Sequence, residues 1–201
     1  MSEVRIETVP GPAIGERIAD VARLRIAVFR DWPYLYDGDE TYEAHYLRTY
    51  TRAADSAFVL ACDGERVIGA STGIPLDAEA PEFQAPFVAR GIDPSRVFYC
   101  GESVLLPAYR GRGIGHAFFD AREAHARALG RFDWIAFAAV DRDDADPRRP
   151  PDHRGNEAFW TKRGYARRPD MAMRMAWKEI GEHAASEKPL TFWLRSLEDI
   201  G

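Results

Sequence analysis

The run Tyr109-Arg110-Gly111-Arg112-Gly113-Ile114-Gly115 places three glycines and two arginines within seven residues. That combination suits an anion. Glycine lets the backbone approach a bound oxygen, a helix starting at such a turn aims its first unpaired N–H groups and its positive dipole end at it, and arginine adds charge. An apolar run, Val104, Leu105 and Leu106, closed by Pro107, precedes the turn, and no Pro or Gly interrupts the chain between Gly115 and Gly130. The order is therefore strand, turn, helix. A dinucleotide fingerprint needs G-x-G-x-x-G, whereas Gly111, Gly113 and Gly115 alternate; a P-loop needs Gly-Lys-Ser/Thr, which Ile114-Gly115-His116 does not supply. The pattern that fits is Arg-x-x-Gly-x-Gly, met by Arg110, Gly113 and Gly115.

The elements that must position this turn follow from periodicity. Residues 4–9 alternate and predict a first strand, closed by Pro10-Gly11-Pro12. Residues 14–29 repeat apolar positions at helical spacing (Ile14, Ile18, Val21, Ala22, Ile26, Phe29), with Arg25 on that face as an aliphatic stem, and a second helix is expected over 42–52. Between them lies a loop of aromatics and acids: Trp32, Tyr34, Tyr36, Asp37, Asp39 and Glu40. Asp63-Gly64-Glu65 joins apolar runs at 56–62 and 66–75, a hairpin signal. A short helix over 81–90 and a strand over 97–106 follow, with Gly101 inside the strand marking a bulge or a close backbone approach. The helix after the glycines spans 114–129 with Gly130 as its cap, and 132–140 reads as a buried strand parallel to its predecessor. A charged, Pro-rich loop (141–153), a helix (154–163) and two antiparallel strands (172–177, 190–197) complete a single domain over 1–201.

Composition narrows the function classes. With 46% hydrophobic and 29% charged residues and a net charge of −5, the 201-residue chain is an ordinary globular protein whose balance argues against nucleic-acid binding. Met1 to Arg5 lack a signal-peptide pattern and no apolar run approaches the roughly 20 residues of a membrane span, so a cytoplasmic protein with no membrane partner is expected. Cys62 and Cys100 fall in expected strands and read as buried free thiols. No metal is expected: the acidic loop at 141–153 has Ala145 where a calcium ligand belongs, and His116 and His125 stand nine apart on one helix.

The stretch from Val104 to Gly115 resembles the acetyl-CoA signature of the GNAT superfamily of N-acetyltransferases, and Phe159-Trp160-Thr161-Lys162-Arg163-Gly164-Tyr165 resembles that family's closing helix. The resemblance implies an α/β fold with a mixed, splayed sheet of about seven strands flanked by helices. It implies an enzyme that moves an acetyl group from acetyl-CoA to an amine of a small molecule by direct attack in a ternary complex. The backbone N–H groups from Arg112 to His116 (Arg112, Gly113, Ile114, Gly115, His116) would hold the pyrophosphate, with Arg110 and Gly111 of the same turn also cofactor-binding. Val104, Leu105 and Leu106 would pair with pantetheine, and Asn156 and Trp160 would complete the cofactor site. Glu102 corresponds to a catalytic Glu of several members and would be the general base. Trp160 stands where many members carry a Tyr general acid, leaving Tyr165, Tyr109 or Tyr99, water, or no acid at all. The loop bearing Trp32, Tyr34 and Tyr36 would wall the acceptor site. The missing Tyr also motivates an alternative, a catalytically silent CoA-binding sensor or interaction module. A homodimer is left open.

Overall fold

The structure, a computed structural model, describes residues 4–198; Met1, Ser2 and Glu3, on which part of the leader reading rests, lie outside them. Strand β1 (Val4–Pro10) pairs antiparallel with β2 (Ala57–Asp63), which turns through Gly64 at φ 61° into β3 (Arg66–Pro75). The Asp-Gly hairpin is thus formed, and the left-handed φ is the reason the turn uses glycine. Both faces of β2 are buried, and its alternation divides the molecule. Phe58, Leu60 and Cys62 pack with Val21 and Leu24 of α1 (Ile18–Phe29) and Leu47 and Tyr50 of α2 (Glu40–Arg52), whereas Val59 and Ala61 pack with Ile114 and Phe118 of α4 (Ile114–Leu129).

The remaining elements are α3 (Pro81–Val88), β4 (Val97–Tyr99), β5 (Ser103–Leu105), β6 (Trp134–Val140), α5 (Glu157–Lys162), β7 (Ala166–Trp177) and β8 (Ser186–Ser196). They complete an eight-stranded sheet in the order β1-β2-β3-β4-β6-β8-β7, with β5 off that path and paired to β3. The strand expected over 97–106 is two strands, which is why the count exceeds seven. Its first part runs parallel to β6 and ends with Cys100 N–H on Ala136 O at 2.8 Å; its second part pairs antiparallel with β3 alone. The sheet therefore opens between β5 and β6, and Gly101-Glu102 is its apex.

Several ends differ from expectation: α1 starts at Ile18 rather than 14 and β8 at Ser186 rather than 190. β7 starts at Ala166, six residues before 172, because Arg167, Arg168, Pro169 and Asp170 interrupt the apolar alternation at a register irregularity between Arg168 and Ala172. The closing helix is only Glu157–Lys162, not 154–163. Gly130 ends α4 at φ 67°, as its position predicts, and Cys62 and Cys100 are buried free thiols. Among the described residues no helix is long and apolar enough to cross a membrane.

Candidate active site

The glycine turn folds as an open cradle. Gly111 and Gly113 have φ of 76° and 81°, and no atom lies within 4 Å of the place a Cβ would occupy on either. Gly113 caps α4 without any side-chain hydrogen bond, and the first turn carries no acid, so donors and dipole point outward uncompensated. Arg110 and Arg112 are exposed beside it; Arg112 donates to Ala108 O at 2.9 Å and lies 5.0 Å from the Tyr109 ring centroid. His116 is exposed on the first turn, in edge contact with Phe159 of α5 at 4.8 Å, and Ile114 is buried beneath. This geometry fits a diphosphate.

The β5 edge is more selective than the sequence suggests. Thr72 N–H bonds Glu102 O at 3.1 Å and Leu106 N–H bonds Ile68 O at 3.0 Å, so even-numbered backbone groups face β3. By alternation Val104 faces β3 too, and the groups left on the open side are those of Ser103 and Leu105. Of Val104, Leu105 and Leu106, only Leu105 presents its backbone to the cleft.

At the apex, the Glu102 carbonyl accepts from three donors: Ser71 Oγ at 2.7 Å, Thr72 N–H at 3.1 Å and Arg122 Nη1, from α4, at 3.1 Å. That clamp fixes the backbone and sends the side chain toward α1 and α2. There Arg25 Nη1 donates to Glu102 Oε2 and Arg25 Nε to Glu43 Oε2, with all three residues no more than 6% exposed. Tyr46 Oη adds a long contact to Glu102 Oε2 at 3.4 Å and lies 3.2 Å from Tyr50 Oη. Two carboxylates thus share one guanidinium. Glu43 Oε1, Glu102 Oε1 and Glu79 Oε1 are buried without hydrogen bonds, and the hydroxyls of Tyr36, Thr72 and Tyr50 neighbour the Glu43, Glu102 and Glu79 side chains respectively. Burial raises the Glu102 carboxyl above its ordinary 4.5, against the pull of Arg25, and burial likewise raises Glu79. A carboxylate so placed is a stronger base than one in water.

Gly101 is required for this arrangement. A Cβ there would overlap the Tyr50 hydroxyl and lie 2.8 Å from Thr72 Oγ1 and 3.0 Å from Tyr46 Oη. Gly101→Ala is expected to cost about 1–3 kcal/mol of stability, since Tyr50 is fully buried and cannot swing away. Chemical denaturation gives the value, and an unchanged midpoint would show that the hydroxyls yield freely.

An aromatic cavity opens at the apex through Gly101 and through Ala138 of β6, with Arg25, Tyr34, Tyr36, Tyr46, Tyr99 and Trp177 among its walls. Tyr34 and Tyr36 are therefore together in it, but Trp32 is not. Trp32 lies under Arg142, whose guanidinium is 5.6 Å from its ring, with His153 edge-on at 6.2 Å. Arg142 also donates to Pro33 O at 2.7 Å and to buried Glu179, which binds Arg148 at 2.6 Å, so the loop at 141–153 is pinned to the acceptor-wall loop. The acids of that loop have structural tasks: Asp37 binds Lys178 at 2.8 Å, and Asp39 caps α2 by accepting Tyr42 N–H at 2.7 Å. Among the described residues no carboxylate lines the cavity itself; Glu43 and Glu102 reach it through Arg25 of its wall.

Tyr165 belongs to the other face of the sheet. It is 2% exposed, packed on Phe119 and Phe137 with its hydroxyl donating to Glu123 at 3.2 Å, and burial pushes that hydroxyl far above its usual range. Since Phe137 faces α4 and its neighbour Ala138 faces the cavity, Tyr165 cannot serve as the acid there. Tyr109 is also removed, its hydroxyl on Asp63 at 2.7 Å, while Tyr99 lines the cavity. Trp160 fills the space between Phe137 and Trp193 at 4.9 and 5.1 Å, and Asn156 is exposed at the start of α5, its carbonyl accepting Trp160 N–H at 2.9 Å.

A splayed sheet, an uncapped glycine turn and a buried carboxylate at the apex define an acyltransferase of the CoA-dependent kind. Residues 23–165 match the family described as Acetyltransferase (GNAT) family, and the chain belongs to that family. No curated protein sequence matches the chain. Similar solved structures include yncA from Salmonella typhimurium with its cofactor acetyl-CoA, at TM-score 0.60 and 12% identity, covering 98% of this chain and 96% of that one. An N-acetyltransferase from Staphylococcus aureus Mu50 (TM-score 0.62, 11% identity, 98% and 100% covered) and a ribosomal-protein-alanine N-acetyltransferase from Brucella melitensis (0.61, 11%, 96% and 99%) share the fold.

Proposed function

We propose that the chain is an acetyl-CoA-dependent N-acetyltransferase that modifies the amine of a small molecule in a ternary complex. The observation that supports this most is the position of Glu102: a buried carboxyl with one unbonded oxygen, at the opening of the sheet and bound to Arg25 of the aromatic cavity's wall. Acetyl-CoA would supply an activated thioester carbonyl. The first N–H groups of α4, with Arg110 and Arg112, would hold its diphosphate, and the outward backbone groups of Ser103 and the Leu105 N–H its amide arm, Leu105 O already accepting from Arg110 Nε at 3.4 Å. Glu102 would take a proton from the incoming ammonium, freeing the nitrogen lone pair; a C–N bond forms, the C–S bond breaks with its electron pair leaving on sulfur, and the nitrogen sheds a second proton that replaces the one given to sulfur. Tyr46 and Tyr99 are hydroxyls within the cavity that could return a proton to the thiolate. The aromatic walls exclude water, which protects the thioester from hydrolysis.

Free-thiol release on mixing acetyl-CoA with an amine library tests the reaction. Intersecting initial-rate lines are expected; parallel lines, which signal a covalent acetyl-enzyme, would overturn the direct attack. Gly113→Ala provides a cofactor-side check. Forcing a side chain to φ 81° costs about 1–3 kcal/mol, so KM for acetyl-CoA should rise about 10-fold while KM for the amine stays constant. An unchanged KM for acetyl-CoA would exclude the turn from cofactor binding.

A further inference from the structure

We infer that the acceptor is a primary monoamine carrying a flat aromatic body and no carboxylate. This rests on the reaction proposed above and concerns only what the cavity admits.

The walls provide the first argument. Tyr34 and Trp177 stand with ring centroids 5.8 Å apart, and Tyr99, Met175 and Leu190 line the same cavity. A ring bound there gains edge and face contacts that an alkyl chain does not. Two of the other aromatic faces already have an occupant: the Arg25 guanidinium is 4.1 Å from the Tyr46 ring centroid and 5.1 Å from that of Phe29. The protein's own cation has taken those sites, and the remaining rings are left for the body of the ligand.

Charge provides the second. Arg25 is the one charged residue on the cavity wall, and it is held by Glu43 and Glu102 together, which leaves one negative charge unmatched when both are ionised. One ammonium completes the set. A second ammonium, as in a diamine, would have to lie against Tyr34, Trp177, Met175 and Leu190. No carboxylate is available there: Asp37 is engaged by Lys178, and Glu179 by Arg142 and Arg148. The tyrosine hydroxyls add none, since burial pushes Tyr34 up to about 12. An unpaired buried ion is expensive. A substrate carboxylate would meet the same difficulty with opposite sign, approaching the net negative Glu43–Arg25–Glu102 cluster while Arg25 is already committed to both carboxylates. The arrangement both attracts one cation and rejects an anion.

The experiment compares kcat/KM by free-thiol release for 2-phenylethylamine, 1,4-diaminobutane, phenylalanine and an alanine-initiated peptide. 2-Phenylethylamine should exceed each of the others by about 100-fold, the scale set by one uncompensated buried charge. Tyr34→Leu should raise KM for 2-phenylethylamine about 10-fold and leave KM for acetyl-CoA unchanged. Preference for the diamine, the amino acid or the peptide overturns the inference while leaving the acetyl transfer intact. Thiol release with none of the amines, from a protein that acetyl-CoA still stabilises against heat, overturns the proposed reaction and the inference with it.

Discussion

Replacing Arg25 with methionine should lower the unfolding free energy by about 3–5 kcal/mol at neutral pH, the cost of leaving buried charges without their partner. Methionine keeps the length of the arginine stem, so lost packing contributes little. What is removed is the cation shared by Glu43, fully buried, and Glu102, 6% exposed. The sign with pH follows from the raised Glu102 carboxyl. A carboxyl raised in the folded state contributes stability that is fully present below its unfolded value, here the ordinary 4.5, and is lost as pH rises through the folded value. Without Arg25 the folded value climbs further. The deficit of the variant should therefore shrink below about pH 4.5 and grow above it, as the fold accepts protons in place of the guanidinium. Urea denaturation across this range measures it, with Arg23→Met as the control, since Arg23 is two-thirds exposed and pairs only at the surface. A deficit no larger than that of the control, within about 0.5 kcal/mol, would mean the carboxylates find compensation elsewhere.

This cluster also shows where reading the sequence stops. The cradle was legible because it is local: glycines at fixed offsets, an apolar run before them and a long helix after them carry their own geometry, and Gly111 and Gly113 take the left-handed φ that such a turn needs. The Asp-Gly hairpin and the Gly130 cap were legible for the same reason. Arg25 was visible as part of a buried helix face, but periodicity reports the face and not the fate of the side-chain end. Its partners lie 18 and 77 residues away, on α2 and at the apex, and nothing local connects them. Tyr46 and Glu43 were missed likewise, since α2 looks like a polar helix until Glu43, Leu47 and Tyr50 are found on its buried side. Conversely, Asp37 and Asp39 stood out in the sequence as acids near an acceptor, yet a surface ion pair and a helix cap account for both. Tyr165 fell near the right motif but on the far face of β6, a distinction that the alternation of one strand decides.

Glu102→Gln should reduce kcat by about 10²–10⁴, the range that general-base catalysis supplies, while KM for acetyl-CoA stays within about twofold because no part of the cradle touches this side chain. The two variants separate charge from chemistry. Glutamine leaves Arg25 with Glu43 as a balanced pair, so the fold should keep nearly all of its stability, in contrast to the loss expected when Arg25 is removed. The pH profile gives the sharper test. Glu102 acts only when ionised, and burial places its ionisation above 4.5, so wild-type kcat/KM should climb with pH along a limb set by that raised value, and the same limb should be absent in the glutamine variant. Protonation of the amine acts in the same direction, so the comparison must be made between the two proteins with one amine; the limb that belongs to the substrate survives in both. If the variant keeps both its rate and its acidic limb, the base is another group. Glu79 would then be the remaining carboxyl with an unbonded oxygen that does not already bind Arg25.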